Sequence, residues 1–264
     1  DKDKQLGMAL ATGFGYGTTI NAVYNGVYNG AFGSTTSLTT PTASSTLVMK
    51  RPDGKFIIIS GSATANAQVY DPIANTITAL GTTPTTAIGP GSLAYKRPDG
   101  KFLIVMGNST KTTNIFDPIA NTFVAGPNLS SSVLPLGAGV GSGIIPLPTG
   151  RVLIIHGNAS QNTSIYDPIQ NVMIGGPQPT LVVGPGGGIT IPNADGTWFV
   201  TSGAITTTCA AVPTLNTMQF DPYTMRFTTN LSGSIFITTA GPGLGAFTFQ
   251  RADGKWIILR GANA

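Results

Sequence analysis

Short runs of apolar, largely β-branched or aromatic residues recur along the chain, each opened by a turn and closed by a glycine. They read FIIIS at 56–60, FLIVM at 102–106, VLIIH at 152–156, WFVTS at 198–202 and WIILR at 256–260. A run of this length with little polar alternation suits a strand buried on both faces. The glycine opening each unit (Gly54, Gly100, Gly150, Gly196, Gly254) lies seven residues before the glycine closing it (Gly61, Gly107, Gly157, Gly203, Gly261). Such fixed spacing marks an internal repeat.

A second motif follows each of the first four runs: VYDPIANTI around Tyr70, IFDPIANTF around Phe116, IYDPIQNVM around Tyr166 and QFDPYTMRF around Phe220. The fifth copy is missing after the last run, and VYNGVYNGAF near the start places Tyr24, Asn25 and Asn29 where Tyr70, Asp71 and Asn75 stand in the next unit. Each unit reads as four short strands. The stretch before each Asp-Gly (SLAYK, GIIPL, GITIP, AFTF) is the innermost strand, the apolar run is the second, the stretch ending in Tyr or Phe is the third, and the stretch after Asn is the fourth. Asp-Gly supplies the residue of positive φ for a tight hairpin, and Asp-Pro opens the next turn by accepting backbone N–H bonds and presetting φ. Four-stranded sheets that repeat with both faces buried predict an all-β protein, a five-bladed β-propeller over 20–264. Its closing blade is shared between the N- and C-termini, with the strand from Tyr24 to Phe32 pairing against the one that ends near Arg260, and residues 1–19 form a tail outside the ring.

The units resemble the kelch repeat, a hairpin with a glycine pair followed by Tyr and then Trp, over residues 20–264. One glycine stands for the pair, and Ile77, Phe123, Met173 and Phe227 stand where kelch blades carry Trp. The resemblance implies the propeller fold and carries over no catalytic residue. Five blades resemble certain lectins and glycosidases instead.

Composition narrows the surface chemistry. Charged residues are 9% of the chain, there is no Glu, and Thr, Ser, Asn and Gly occupy surface positions where charge is usual. Eight of the ten aspartates sit in repeat turns: Asp53, Asp99, Asp195 and Asp253 in the first hairpin, Asp71, Asp117, Asp167 and Asp221 in the Asp-Pro turn. Lys and Arg flank the same hairpins, which concentrates charge at one end of the sheets and leaves Lys111, Arg260 and His156 for the other. A net charge of +4 points to no nucleic-acid partner, and no apolar run reaches the roughly 20 residues of a membrane span. The start DKDKQ lacks the apolar core of a signal peptide, which could have been removed.

The same counts weigh against catalysis. Propeller glycosidases need two carboxylates near the axis, copper oxidases that resemble kelch propellers need at least two His ligands, and catalytic triads need His with an orienting acid. His156 and Cys209 are each the sole residue of their type. The expectation is therefore that the chain is not an enzyme and takes no metal or other cofactor. Glycine clusters such as Gly89-Pro90-Gly91 precede strands and not helices, so crowding of inner strands explains them better than phosphate binding does. An eight-residue insertion in the fourth unit, within 204–219, adds loop residues Thr207 and Cys209. With Lys111, His156, Trp198 and Arg260 they make the candidate contacts for a ligand or partner.

Two functions fit this composition. One is a structural or assembly subunit of an extracellular fibre, sheath, surface layer or virion coat, whose weakly charged surface does little to repel other copies of itself. The apolar, Gly-rich residues 5–19 would join neighbours. The other is a lectin-like module binding glycans through Asn, Thr and aromatic platforms such as Trp198, Trp256, Tyr95 and Tyr223. Both place the chain outside the cell or on a surface.

Overall fold

A computed structural model describes residues 38, 45–61, 65–130, 137–183, 189–201, 217–229, 247–250 and 254–259. Among them lie eighteen strands and no helix. The first sheet holds β1 (Leu47–Lys50), β2 (Phe56–Ile59), β3 (Ala67–Asp71) and β4 (Thr76–Ala79). The second holds β5 (Leu93–Lys96), β6 (Phe102–Val105), β7 (Thr113–Asp117) and β8 (Thr122–Ala125). The third holds β9 (Gly143–Pro146), β10 (Val152–Ile155), β11 (Thr163–Asp167) and β12 (Val172–Gly175), and the fourth β13 (Thr190–Pro192), β14 (Trp198–Thr201), β15 (Thr217–Asp221) and β16 (Arg226–Thr229). A fifth pair joins β17 (Phe247–Gln250) to β18 (Trp256–Leu259).

Each of the four complete sheets is an antiparallel meander whose strands pair in sequence order. Register is the same throughout. Phe56 faces Lys50 on one side and Tyr70 on the other, as Phe102 faces Lys96 and Phe116. The hairpin glycines, four after Asp and Gly150 after Thr149, all have positive φ, between 78° at Gly150 and 86° at Gly196. In the Asp-Pro turns the left-handed position falls on Asn75, Asn121, Asn171 and, in the fourth sheet, Met225. Asn favours that region far more than Met does, so the fourth turn departs locally from the rule of the other three.

The sheets stack through both faces. Phe102, Ile104 and Phe116 of the second sheet pack with Met49, Ile57 and Ile59 of the first, whereas Leu103, Val105 and Ile115 pack with Ile154 and Tyr166 of the third. Leu153 and Ile155 of the third sheet continue into Val200, Met218, Phe220 and Phe227 of the fourth. β6 and β10 are wholly buried because neighbours lie on both sides, which is why their sequences are continuous apolar runs. Shortening such a residue to Ala costs about 2–5 kcal/mol. The inner strands β1, β5, β9 and β13 run beside one another in that order. The result is a propeller-like repeat of four-stranded antiparallel sheets. The tail 1–19, the closing stretch Tyr24 to Phe32 and the end near Arg260 lie outside the described residues.

Candidate functional site

The charged end of the sheets is built from the two turn motifs. Asp71 Oδ1 accepts the backbone N–H groups of Ile73 (2.9 Å) and Ala74 (3.0 Å), and Asp117 and Asp167 do the same in their sheets. The second carboxylate oxygen meets a cation from the first hairpin: Lys55–Asp71 and Lys101–Asp117 at 3.1 Å, Arg151–Asp167 at 3.0 Å. Donation from the Ala74 N–H and then from Lys55 holds the Asp71 carboxyl below the usual carboxylate range. Asp117 is lowered by the Ala120 N–H ahead of Lys101, and Asp167 by the Gln170 N–H ahead of Arg151.

Sequence reasoning missed a contact between sheets at this end. Arg97 leaves its own hairpin, where it pairs with Asp99 at 2.9 Å, and reaches the Asp-Pro turn of the third sheet. Its Nη1 donates to Tyr166 Oη (2.7 Å) and Asn171 Oδ1 (2.9 Å), and its Nη2 to the Pro168 carbonyl (3.1 Å). Tyr166 Oη donates to Asn171 Oδ1 at 2.8 Å, and burial pushes the Tyr166 hydroxyl up to about 12. Arg51 repeats the Asn contact one sheet earlier, donating to Asn121 Oδ1 at 2.9 Å, with Phe116 in the place of Tyr166. The signal lay in the sequence: at the same hairpin position the third unit has Leu147, and the turn it meets has Phe220 and Met225 in place of Tyr and Asn, all in one apolar cluster. Beside these contacts stand Ile73, Ile119, Ile169 and Tyr223, which are 95%, 80%, 88% and 74% exposed at one and the same turn position.

At the opposite end the loops after β6 and β10 each carry three successive left-handed residues, Gly107-Asn108-Ser109 and Gly157-Asn158-Ala159. Backbone bonds from neighbouring segments hold them, including Asn108 N–H to Pro90 O (2.8 Å) and Asn158 N–H to Val140 O (2.9 Å). A Cβ on Gly89 would lie 2.7 Å from Asn108 Cβ, and one on Gly91 would overlap the Gly139 carbonyl. Close backbone approach, not a ligand, requires these glycines.

The three candidate contact residues that are described, Lys111, His156 and Trp198, do not converge. His156 is fully buried instead of lying exposed at the end opposite the charged hairpins, because the strand it ends is covered on both sides. Its Nε2 lies 2.8 Å from Ser164 Oγ, which donates to Ser130 O (2.9 Å) and accepts Ser130 N–H (3.0 Å). The hydroxyl proton is thereby used, so Nε2 is the donor to Ser164. Lys111 sits half-buried in the loop after β6, where its carbonyl accepts the Leu129 N–H. Trp198 opens β14 at the charged end and packs against the core shared by the third and fourth sheets. Thr207, Cys209 and Arg260 lie outside the described residues.

No family model and no curated protein matches the chain. Solved structures do. A fungal alcohol oxidase of the AA5 family, in complex with copper, is 18% identical over 84% of this chain and 49% of that chain, with a TM-score of 0.60. Hydrazine synthase of Kuenenia stuttgartiensis is 12% identical over 80% of this chain and 54% of that chain, with a TM-score of 0.51. The chain thus spans about half the length of each.

This likeness establishes a shared fold, and it corrects one expectation. The chain was expected not to be an enzyme, yet the fold it shares with the fungal protein carries an oxidase, so the architecture admits catalysis and the exclusion does not hold. Copper itself does not fit the residues in view. Among the described residues no three His, Cys, Asp or Glu side chains come together, and His156 Nε2 is engaged as a donor inside the core.

Proposed function

We propose that the chain forms a closed propeller of five blades that serves as a building block joined to other copies of itself, as in an extracellular fibre, sheath, surface layer or virion coat. The observation that carries this reading is the apolar side chain at one exposed turn position in every complete sheet: Ile73, Ile119, Ile169 and Tyr223. The turn is already formed by Asp, Pro and a left-handed residue, Asn in three sheets and Met225 in the fourth, so its geometry asks for no apolar side chain there. Around them the turn carboxylates are taken up by Lys55, Lys101 and Arg151, which leaves little net charge to hold copies apart. Light scattering of the purified chain across the micromolar range tests the reading. Particles that grow with concentration are expected, and a monomer throughout would overturn it.

Closure draws support from the Arg contacts. By sequence Arg251 holds the place of Arg51 and Arg97, and the first sheet offers a matching acceptor pair in Tyr70 and Asn75, joined at 3.3 Å. A fifth blade beside the first would bring the two together. Deleting residues 1–33 should then expose a sheet edge and cause aggregation or a large drop in melting temperature.

A glycan-binding role rests on Tyr223, whose ring is the one largely exposed aromatic among the described residues. A glycan array with wild type and Tyr223→Ala separates it from assembly.

A further inference from the structure

Between Gln5 and Thr19 the large side chains fall on one parity and the small ones on the other. Leu6, Met8, Leu10, Thr12, Phe14 and Tyr16 alternate with Gly7, Ala9, Ala11, Gly13, Gly15 and Gly17. That is the period of a strand with one face bulky except at Thr12 and one nearly bare face. No charged residue occurs from Gln5 to Met49 to oppose burial.

The described sheets differ in how they guard their outer edges. β16 begins with an exposed Arg226 and β4 presents Thr76 and Thr78. β8 presents Thr122 beside Val124. β12 presents Val172 and Ile174, 41% and 49% exposed, with Ile169 at 88% in the turn before it. An edge strand with no charge, no proline and apolar side chains at both alternate exposed positions offers main-chain donors and acceptors to any extended chain.

We propose that β12 receives residues 6–16 of a second copy as an added strand, joining subunits head to tail. This rests on the assembly reading and names its contact. Main-chain pairing would supply affinity, and the bulky face of the segment, laid over Val172 and Ile174, would supply specificity. The donor comes from another copy because of chain length. If Tyr24 begins the closing strand, the seven residues 17–23 span at most about 25 Å, and in a five-membered ring the closing sheet and the third sheet are not neighbours. The segment of the same chain would have to cross an intervening sheet, and that of a neighbouring copy would not. Donor and acceptor are different surfaces, so the contact is heterologous and propagates.

The test uses full-length variants. Met8→Asp with Leu10→Asp removes the donor, and Ile174→Lys guards the acceptor with the kind of residue that protects natural edges. Ile174 is half exposed, so the substitution leaves the core untouched, and an unchanged melting curve checks this. Each variant alone should be monomeric by light scattering, whereas an equimolar mixture should give one-to-one dimers and nothing larger, since only one intact junction can form. A wild-type chain that is monomeric throughout would overturn the assembly reading itself. A wild-type chain that assembles while either variant still assembles would overturn only this contact, and so would monomeric variants that fail to dimerise on mixing.

Discussion

At the junction of the second and third sheets Arg97 extends into the next turn and is held by Tyr166, Asn171 and the Pro168 carbonyl. At the junction of the third and fourth the same position is Leu147, 7% exposed, in one cluster with Phe220 and Met225. The backbone, the register and the turn are alike at both. A guanidinium removed from water needs its acceptors, and an apolar side chain needs their absence. What differs is therefore a matched pair at its centre, Arg with the turn Asn or Leu with Met225; Arg51 meets Asn121 beside Phe116, so the guanidinium tolerates Phe for Tyr166 and should not tolerate Met for the Asn.

The largest effect is expected where the pairs are mixed. Leu147→Arg sets a cation against Phe220 and Met225, whose side chains offer at most a weak thioether acceptor in place of Tyr Oη and Asn Oδ1, and should cost about 3 kcal/mol. Adding Met225→Asn supplies an acceptor and also relieves a Met held at φ 57°, so the double variant should recover about 1–2 kcal/mol. Urea unfolding of the four-member cycle measures it. Strict additivity would show that the two positions do not meet.

Arg97→Ala is expected to cost about 2 kcal/mol, since several charge-assisted bonds are lost from a half-buried site. The same site has an alkaline signature. Burial raises the Tyr166 hydroxyl from 10.0 to about 12, so the folded state favours its neutral form. That stability is fully present below pH 10 and is lost as the pH rises through 12. Tyr70 and Tyr95 are raised in the same direction, by burial first. Tyr166→Phe should therefore flatten part of the alkaline loss and not all of it, as read from melting temperatures across that range.

The strands and turns were legible in the sequence because each is specified locally: FLIV is apolar for a strand covered on both faces, and Asp117 with Asn121 forms a turn within five residues. The contacts across the junctions were not read, although Arg97 and Leu147 differ at one repeat position, because a repeat gives the register within a unit and not which side chains of successive units meet. His156 shows the limit from the other side. A polar residue closing an apolar run reads as a strand end near solvent, and its burial depends on Ser164 and Ser130, the latter in the segment leading away from another sheet's edge. For function the charge counts misled in a different way, since they excluded catalysis on ligand sets other proteins use while the fold itself is shared with an oxidase.

The comparison extends to a junction known by sequence alone. If Arg251 meets Tyr70 and Asn75 as Arg97 meets Tyr166 and Asn171, then Arg251→Ala and Tyr70→Phe should couple by about 1 kcal/mol in a double-mutant cycle. Arg251→Ala with Tyr166→Phe should be additive, because Tyr166 already has Arg97. Coupling with neither tyrosine would argue against closure through this contact.

The smallest effects separate two roles of one aspartate. Asp117 accepts two backbone N–H groups through Oδ1 and pairs with Lys101 through Oδ2, and the lysine is 43% exposed. An exposed ion pair contributes little, so Lys101→Ala should cost less than about 0.5 kcal/mol, a difference that added salt erases. Asp117→Ala removes the turn acceptor and should cost about 1 kcal/mol, by analogy with a lost helix cap, and salt should not erase it. Acid gives the same answer by a different route. The Asp117 carboxyl is held below its ordinary 3.8, first by the Ala120 N–H, so the unfolded chain takes up its proton before the folded one does. Its contribution is fully present above that ordinary value and is lost as the pH falls through it and below. In Lys101→Ala most of this acid dependence should persist, because the backbone donors remain. If it vanishes with the lysine, the ion pair and not the turn is what depresses the carboxyl.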